Sequence, residues 1–236
     1  MIDIVINNFR RLQYLNIQVR AIKQRTDFPY RIIVVDNAST PKTKAFVKKL
    51  IKEGLVWKAV YNDKNYTLPQ SLKRGVELVE NEYCILTTDD VMPPWSNPCW
   101  LTHLDHLIRV NKDYGAICFR HGKSQSEAYI KQNINKINVS LSKELNSMKS
   151  IEEFLQIVKT EDLRYMMLNH RTGKIEQLGF GKDHTWIRTF ARRLKWFLNK
   201  RVGKPPVDFP LRSVIWRDEN LGYEKDLSER GKFEII

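Results

Sequence analysis

The first half of the chain alternates short apolar runs with amphipathic stretches, and this alternation constrains the fold more than any other feature. Ile2–Ile6 reads as a strand, and Leu12–Lys23 as a helix whose Leu12, Leu15, Val19 and Ile22 recur at helical spacing. Arg31–Val35 reads as a second strand. Thr40-Pro41 then supplies a cap and a first-turn proline for a helix through Phe46, Val47, Leu50 and Ile51 that stops at Gly54. Val56–Tyr61 is a third strand, and a helix around Pro69–Glu80 gathers Leu72, Val76 and Val79 on one face. Tyr83–Thr87 is almost wholly apolar, as a central strand covered on both faces must be. A helix over Trp100–Val110 and a strand over Gly115–Phe119 follow. This order predicts an α/β fold, with a mainly parallel central sheet flanked by helices.

Beyond His121 the periodicity weakens. Gly122–Asn146 is polar and reads as a long surface segment or flap. Ser150-Ile151-Glu152-Glu153 has the form of a capping box and predicts a helix through Phe154, Leu155 and Val158. From Trp186, an apolar stripe of Ile187, Phe190, Ala191, Leu194, Phe197 and Leu198 predicts a further helix, ended by Gly203-Lys204-Pro205-Pro206. The expected organisation is one domain over residues 1–202, with a first half to residue 121 and a second half over 122–202. Residues 203–236 are expected to form a helical or irregular extension.

In an open parallel sheet, ligands bind beyond the carboxyl ends of the strands. Polar clusters stand at three such ends: Asn7-Asn8, Asp36-Asn37-Ala38-Ser39 and Thr87-Thr88-Asp89-Asp90. Each alone is open to a plain reading as a turn or a helix cap. Their convergence on one sheet edge is what points to a site. Adjacent carboxylates repel unless a positive group sits between them, and a divalent Mn²⁺ or Mg²⁺ carrying substrate phosphates meets that need. Other phosphate-binding signatures are missing: no Gly-rich dinucleotide turn follows the first strand, and neither a P-loop nor a serine-hydrolase elbow occurs. Cys84, Cys99 and Cys118 have neither pairing number nor metal spacing, and are expected to be buried free thiols. His170 and His184 are read as polar surface or pocket residues.

These motifs, in this order, resemble family-2 glycosyltransferases of the GT-A type over roughly residues 2–196. Ile4–Leu12 is similar to the family's opening strand and turn, and Ile33–Ser39 to its second strand end. Asn65 with Ser71-Leu72-Lys73-Arg74-Gly75 resembles a family helix motif. Ile85–Pro93 resembles the metal-binding DXD strand end, with Thr88 at its first acidic position. Gly179-Phe180-Gly181-Lys182-Asp183 resembles the segment that carries the catalytic base, with Lys182 where a Glu is usual. The resemblance implies a nucleotide-sugar donor, with Asp36 on the nucleobase and Asn7, Asn8 and Phe9 lining its pocket. Asn65, Lys73, Thr88 and Asp89 complete the donor contacts. Asp90, with Asp89 beside it, would hold the metal, and Asp183 would deprotonate the acceptor hydroxyl in an inverting displacement.

The formal net charge is +13, and eight Lys/Arg against the single acid Asp183 lie between Lys182 and Lys204. Such an excess suits anionic partners. The basic helix over 186–204 is open to three readings: a solvated face, a dock on an anionic membrane that holds a glycan or lipid-linked acceptor, or a grip on DNA. The DNA reading would make the chain a glycosyltransferase for hydroxylated bases. The residues Thr88 and Lys182 also leave room for a nucleotide- or glycan-binding module without catalysis. No apolar stretch approaches the roughly 20 residues of a transmembrane span, and the N-terminal sequence lacks signal-peptide character. A cytoplasmic protein, peripheral at the inner face of the membrane in the docking reading, is expected.

Overall fold

A computed structural model describes residues 1–66, 68–122, 136–148, 156–167, 201–204 and 212–215. The first half follows the sequence pattern closely: β1 (Ile2–Asn8), α1 (Leu12–Arg25), β2 (Tyr30–Asp36), α2 (Pro41–Lys52), β3 (Lys58–Tyr61), α3 (Leu68–Val76) and β4 (Tyr83–Thr88). After two short strands, β5 (Val91–Met92) and β6 (Ser96–Asn97), come α4 (Trp100–Val110) and β7 (Tyr114–Cys118). The cap expected at Thr40 is present. Its hydroxyl accepts from Thr43 N–H at 3.1 Å, while Thr43 Oγ1 accepts from Thr40 N–H at 2.7 Å.

The remaining elements are β8 (Arg120–Gly122), β9 (Ile137–Asn138), β10 (Asn146–Met148), β11 (Gln156–Lys159), α5 (Thr160–Met167), β12 (Arg201–Lys204) and β13 (Arg212–Ile215). The main sheet runs β10-β12-β7-β11-β4-β1-β2-β3. Its β4-β1-β2-β3 half is wholly parallel, whereas β11 lies antiparallel between β4 and β7. Alternate residues of β1 face two separate cores. Ile2, Ile4 and Ile6 pack with Leu15, Val19 and Ile22 of α1, Val47 and Leu50 of α2, and Trp100, Leu101 and Leu104 of α4. Val5 packs on the other side with Leu72 and Val76 of α3 and Leu163 of α5. Gly75 lets α3 lie this close, since a Cβ there would overlap Val5 and stand 2.7 Å from Val35 Cγ2. All three cysteines are buried and none is in a disulfide.

The structure corrects the sequence reading in three places. Val158, expected in a helix, lies in β11, where Ile157 stands opposite Ile85 of β4 and Ile117 of β7. A β-branched Ile-Val pair with every residue from Gln156 to Val158 buried fits a slot between two strands better than an amphipathic helix face. The capping-box residues upstream lie outside the described residues. Next, Arg201–Lys204, expected as the end of the basic helix, is a strand inserted between β10 and β7. Finally, Arg212–Ile215, within the segment expected to be helical or irregular, is a strand between β5 and β8. Four-residue strands of this kind have little local signature, and the unpaired edges of distant strands specify them.

Candidate functional site

Parallel register sets the site. Asn8 stands beside Asp36 across β1 and β2, and Asn7 beside Thr88 across β1 and β4. The polar clusters at the ends of three apolar strands therefore meet at one edge, and Tyr61 of β3 is paired in register with Asp36. Asn7, Asn8, Asp36, Thr88, Asp89 and Asp90 are all buried. Asn8 Nδ2 donates to Asp36 Oδ1 at 2.9 Å. Asp36 Oδ2, Asn8 Oδ1 and the Tyr61 hydroxyl are buried without a hydrogen-bond partner. Burial, followed by the Asp36 charge, raises the Tyr61 pKa. Buried polar atoms left without partners cost stability and need a reason. A ligand that binds there supplies one.

The carboxylate pair lies beside this cluster. Arg11 ion-pairs with Asp89 and donates from Nη1 to Asp90 Oδ2 at 3.1 Å. Thr88 Oγ1 donates to Asp90 Oδ1 at 2.6 Å. The Thr88 hydroxyl, at the family's first acidic position, is thus directed to the neighbouring carboxylate. Asp89 Oδ2 is buried and unpartnered. Burial pushes the Asp89 pKa up to about 7; Arg11 pulls it down, and the Asp90 charge pushes it up again. Gln18 of α1 braces the turn, its Nε2 donating to the carbonyls of Thr88 at 2.6 Å and Val91 at 2.8 Å. Two backbones at this edge are in left-handed conformations without glycine, Arg10 at φ 55° and Ala38 at φ 58°. Residues held this way concentrate at functional sites.

Asn37 is the hub of a second network. Its Nδ2 donates to Asn65 Oδ1 and to the Tyr66 carbonyl, both at 2.8 Å, and its Oδ1 accepts from Asn62 Nδ2 and Tyr66 N–H, both at 3.0 Å. Asn65 thereby holds the loop after β3 against the end of β2. Ser71 of α3 donates to Asn7 Oδ1, whereas Lys73, two residues on and about 200° round the helix from Ser71, is half-buried and is not brought to the carboxylates. Phe9 enters the turn after β1, and its backbone N–H bonds the Asp89 carboxylate.

Of the residues expected at the site, the structure gathers Asn7, Asn8, Phe9, Asp36, Thr88, Asp89 and Asp90, with Asn65 on the adjoining loop. Asp183, and the basic helix up to residue 200, lie outside the described residues. Sequence reading missed Arg11, Gln18 and Tyr61, and placed Asn37 in a polar cluster without a role of its own. Arg11 had a usable signal: two adjacent buried carboxylates require a cation, and Arg11 follows the strand that ends beside them. Gln18 had none, being one polar residue on an otherwise ordinary helix.

The donor set suits a hard divalent cation. Asp89 offers an unpartnered buried oxygen next to Asp90, and Mg²⁺ or Mn²⁺ is commonly held by one or two carboxylates with phosphates completing the shell. Among the described residues, no group of three or more His, Cys, Asp or Glu converges, and these residues offer the cation two carboxylates.

The family model described as glycosyl transferase family 2 matches residues 3–157. TarS (1–349) of S. aureus in complex with UDP superposes with a TM-score of 0.59 at 14% identity, covering 97% of this chain and 63% of that one. A mannosyltransferase of Pyrobaculum calidifontis, solved with GDP-Man and Mn²⁺, gives 0.55 at 16% identity, over 90% of this chain and 56% of that one. GalNAc-T7 with UDP, GalNAc and Mn²⁺ gives 0.59 at 13% identity, over 91% of this chain and 43% of that one. The chain spans between 38% and 63% of the length of these and related TarS structures. These superpositions show a fold similar to that of GT-A glycosyltransferases. No curated protein sequence matches.

Proposed function

Since the chain belongs to glycosyl transferase family 2, we propose that it is an inverting transferase that moves a sugar from a nucleoside-diphosphate donor, a UDP-sugar foremost, to an acceptor hydroxyl. One observation carries this reading: unpartnered buried acceptors on Asn8 and Asp36 stand beside the Asp89–Asp90 pair at the carboxyl edge of a parallel sheet. That edge provides a nucleobase end and a diphosphate end. In this reading Asp36 bonds the base, and Asn7, Asn8 and Phe9 line its pocket. Asn65, Lys73, Thr88 and Asp89 complete the donor contacts, and Asp90 with Asp89 holds Mn²⁺ or Mg²⁺. Held there, such a cation would offset the charge that grows on the departing nucleoside diphosphate. Asp183 takes the proton of the acceptor hydroxyl, whose oxygen bonds to the anomeric carbon as the bond to the diphosphate breaks on the opposite face.

The acceptor in this proposal is a cell-surface or lipid-linked glycan, reached at the cytoplasmic face of the membrane through the basic run over 186–204. Among the described residues, no helix is long and apolar enough to cross a membrane. The bond from Thr88 to Asp90 favours a second reading, a nucleotide-binding module without transfer, because it occupies the residue that the family pattern makes acidic. A screen of nucleotide-sugars that follows nucleoside diphosphate release, with and without Mn²⁺, separates the two. Asp90→Ala is expected to weaken UDP binding in Mn²⁺ and to abolish most of the metal's effect; equal, metal-independent affinity in both proteins would contradict the metal site. Asp183→Asn is expected to keep UDP affinity while transfer falls about 100-fold or more. Unchanged turnover would remove Asp183 from the mechanism.

A further inference from the structure

Asp89 and Asp90 already have a cation. The Arg11 guanidinium bridges both carboxylates, and their side chains are 0% and 8% exposed, against 23% for Arg11. Arg11 therefore lies on the solvent side of the pair and covers it. Its attachment is one-sided, since Nε is buried without a partner. The turn that carries it, between β1 and α1, includes the left-handed Arg10. While bridging the carboxylates, Arg11 also sits over the Tyr14 ring, with 5.1 Å between guanidinium carbon and ring centroid, a contact that holds its charge near the site.

We infer that Arg11 is an internal counter-ion that keeps divalent cations off the Asp89–Asp90 pair until a nucleoside diphosphate arrives, and then turns from the carboxylates to the diphosphate. This rests on the donor-site reading given above. The argument is one of charge. With both carboxylates ionised, as they are when a cation is to be bound, two carboxylates and one guanidinium leave the cluster with one net negative charge. A dication alone would turn that into a net positive charge in a buried place, and would contest the same oxygens as Arg11; like charges a few ångströms apart repel by several kcal/mol at an effective dielectric of about 20. The diphosphate of a nucleotide-sugar brings two negative charges with the dication and returns the cluster to its starting charge, and UDP, whose terminal phosphate is free, brings at least as many. It also offers paired oxygens that match the planar fork of Arg11. The site is thus balanced for the nucleotide and metal together, and unbalanced for the metal alone.

The test is Mn²⁺ binding to the whole chain, read from the electron paramagnetic resonance signal of the free ion, with and without UDP. Wild-type protein should bind Mn²⁺ weakly alone and at least about tenfold more tightly with UDP, a ratio within the usual range of coupling between two ligands. Arg11→Gln should bind Mn²⁺ alone at least about tenfold more tightly than wild type and lose most of the dependence on UDP. Arg11→Lys, which keeps the charge without the fork, should fall between them and guards against a failure of the glutamine variant to fold. Equal Mn²⁺ affinity of wild type and both variants, with UDP enhancing all alike, would overturn the counter-ion role and leave the metal site standing. If none of the proteins binds Mn²⁺ even with UDP, the metal site and the counter-ion role fall together, while calorimetry of UDP in metal-free buffer still tests the nucleotide pocket on its own.

Discussion

The two ends of the central sheet treat a buried aspartate in opposite ways. At the amino end of β1, Asp3 accepts from Arg31 Nε at 2.8 Å, Arg31 Nη2 at 3.1 Å, and the N–H groups of Glu80 and Asn81 at 2.8 and 3.1 Å. Burial opposes its charge, but these hydrogen bonds outweigh it and hold the Asp3 pKa below the usual value. Arg31 in turn stacks on Trp57 and pairs with Glu80, which also binds Lys58. At the carboxyl end, Asp89 keeps an unpartnered oxygen, Asp36 another, and the Asp89 pKa rises to about 7. One end is saturated and structural. The other is left short of partners, as a surface does when its partner is a ligand. Arg31 also lines a 630 Å³ cleft at the amino end, together with Tyr30 and Trp57, and there its guanidinium is already engaged by Asp3 and Glu80.

Breaking the saturated end should have the largest effect. Asp3→Ala leaves the Glu80 and Asn81 N–H groups without their acceptor, while Arg31 keeps Glu80 and Trp57, and should cost about 2–4 kcal/mol in urea unfolding. Asp36→Ala, at the other end, should cost far less stability while UDP binding falls. Equal destabilisation by the two would break the comparison. In wild type, the Asp3 contribution is present above the ordinary carboxylate pKa and should be lost as the pH falls below about 4.

The Asp89 linkage has the opposite sign. Its folded pKa is raised from 3.8 to about 7, so its favourable contribution is complete below the lower value and is lost as the pH rises through the upper one. In metal-free buffer, the melting temperature of wild type should therefore decline between pH 5 and 8. Asp89→Asn should flatten that decline, which amounts to at most about 1.4 kcal/mol per pH unit. Parallel profiles for the two proteins would place Asp89 among the satisfied carboxylates.

The smallest effect sharpens the comparison from beneath the site. Gly75→Ala pushes a methyl group into Val5 and Val35 and should cost about 1–3 kcal/mol. Because Ser71 on the same helix bonds Asn7, UDP affinity should fall as well. A loss of stability without loss of affinity would show that α3 does not position the pocket.

Much was legible in the sequence because the carrying signals are local. Apolar runs that end in Asn7-Asn8, Asp36 and Thr88-Asp89-Asp90 mark both the strands and their carboxyl ends, and the strand–helix order brings those ends together through right-handed crossovers. The family resemblance rests on the same residues. Tertiary structure alone decided the rest. Whether Gln156–Lys159 is helix or strand depended on the open slot between β4 and β7, and the strands at Arg201–Lys204 and Arg212–Ile215 depended on edges far away in sequence. That Thr88 bonds Asp90, that Asn37 ties down Asn65, and that Arg11 covers both carboxylates are matters of side-chain direction across 78 or fewer intervening residues. Periodicity specifies which face of an element is buried; it carries no information about which polar atom on another element will be within 3 Å, and that separation is what distinguishes a satisfied aspartate from one kept for a ligand.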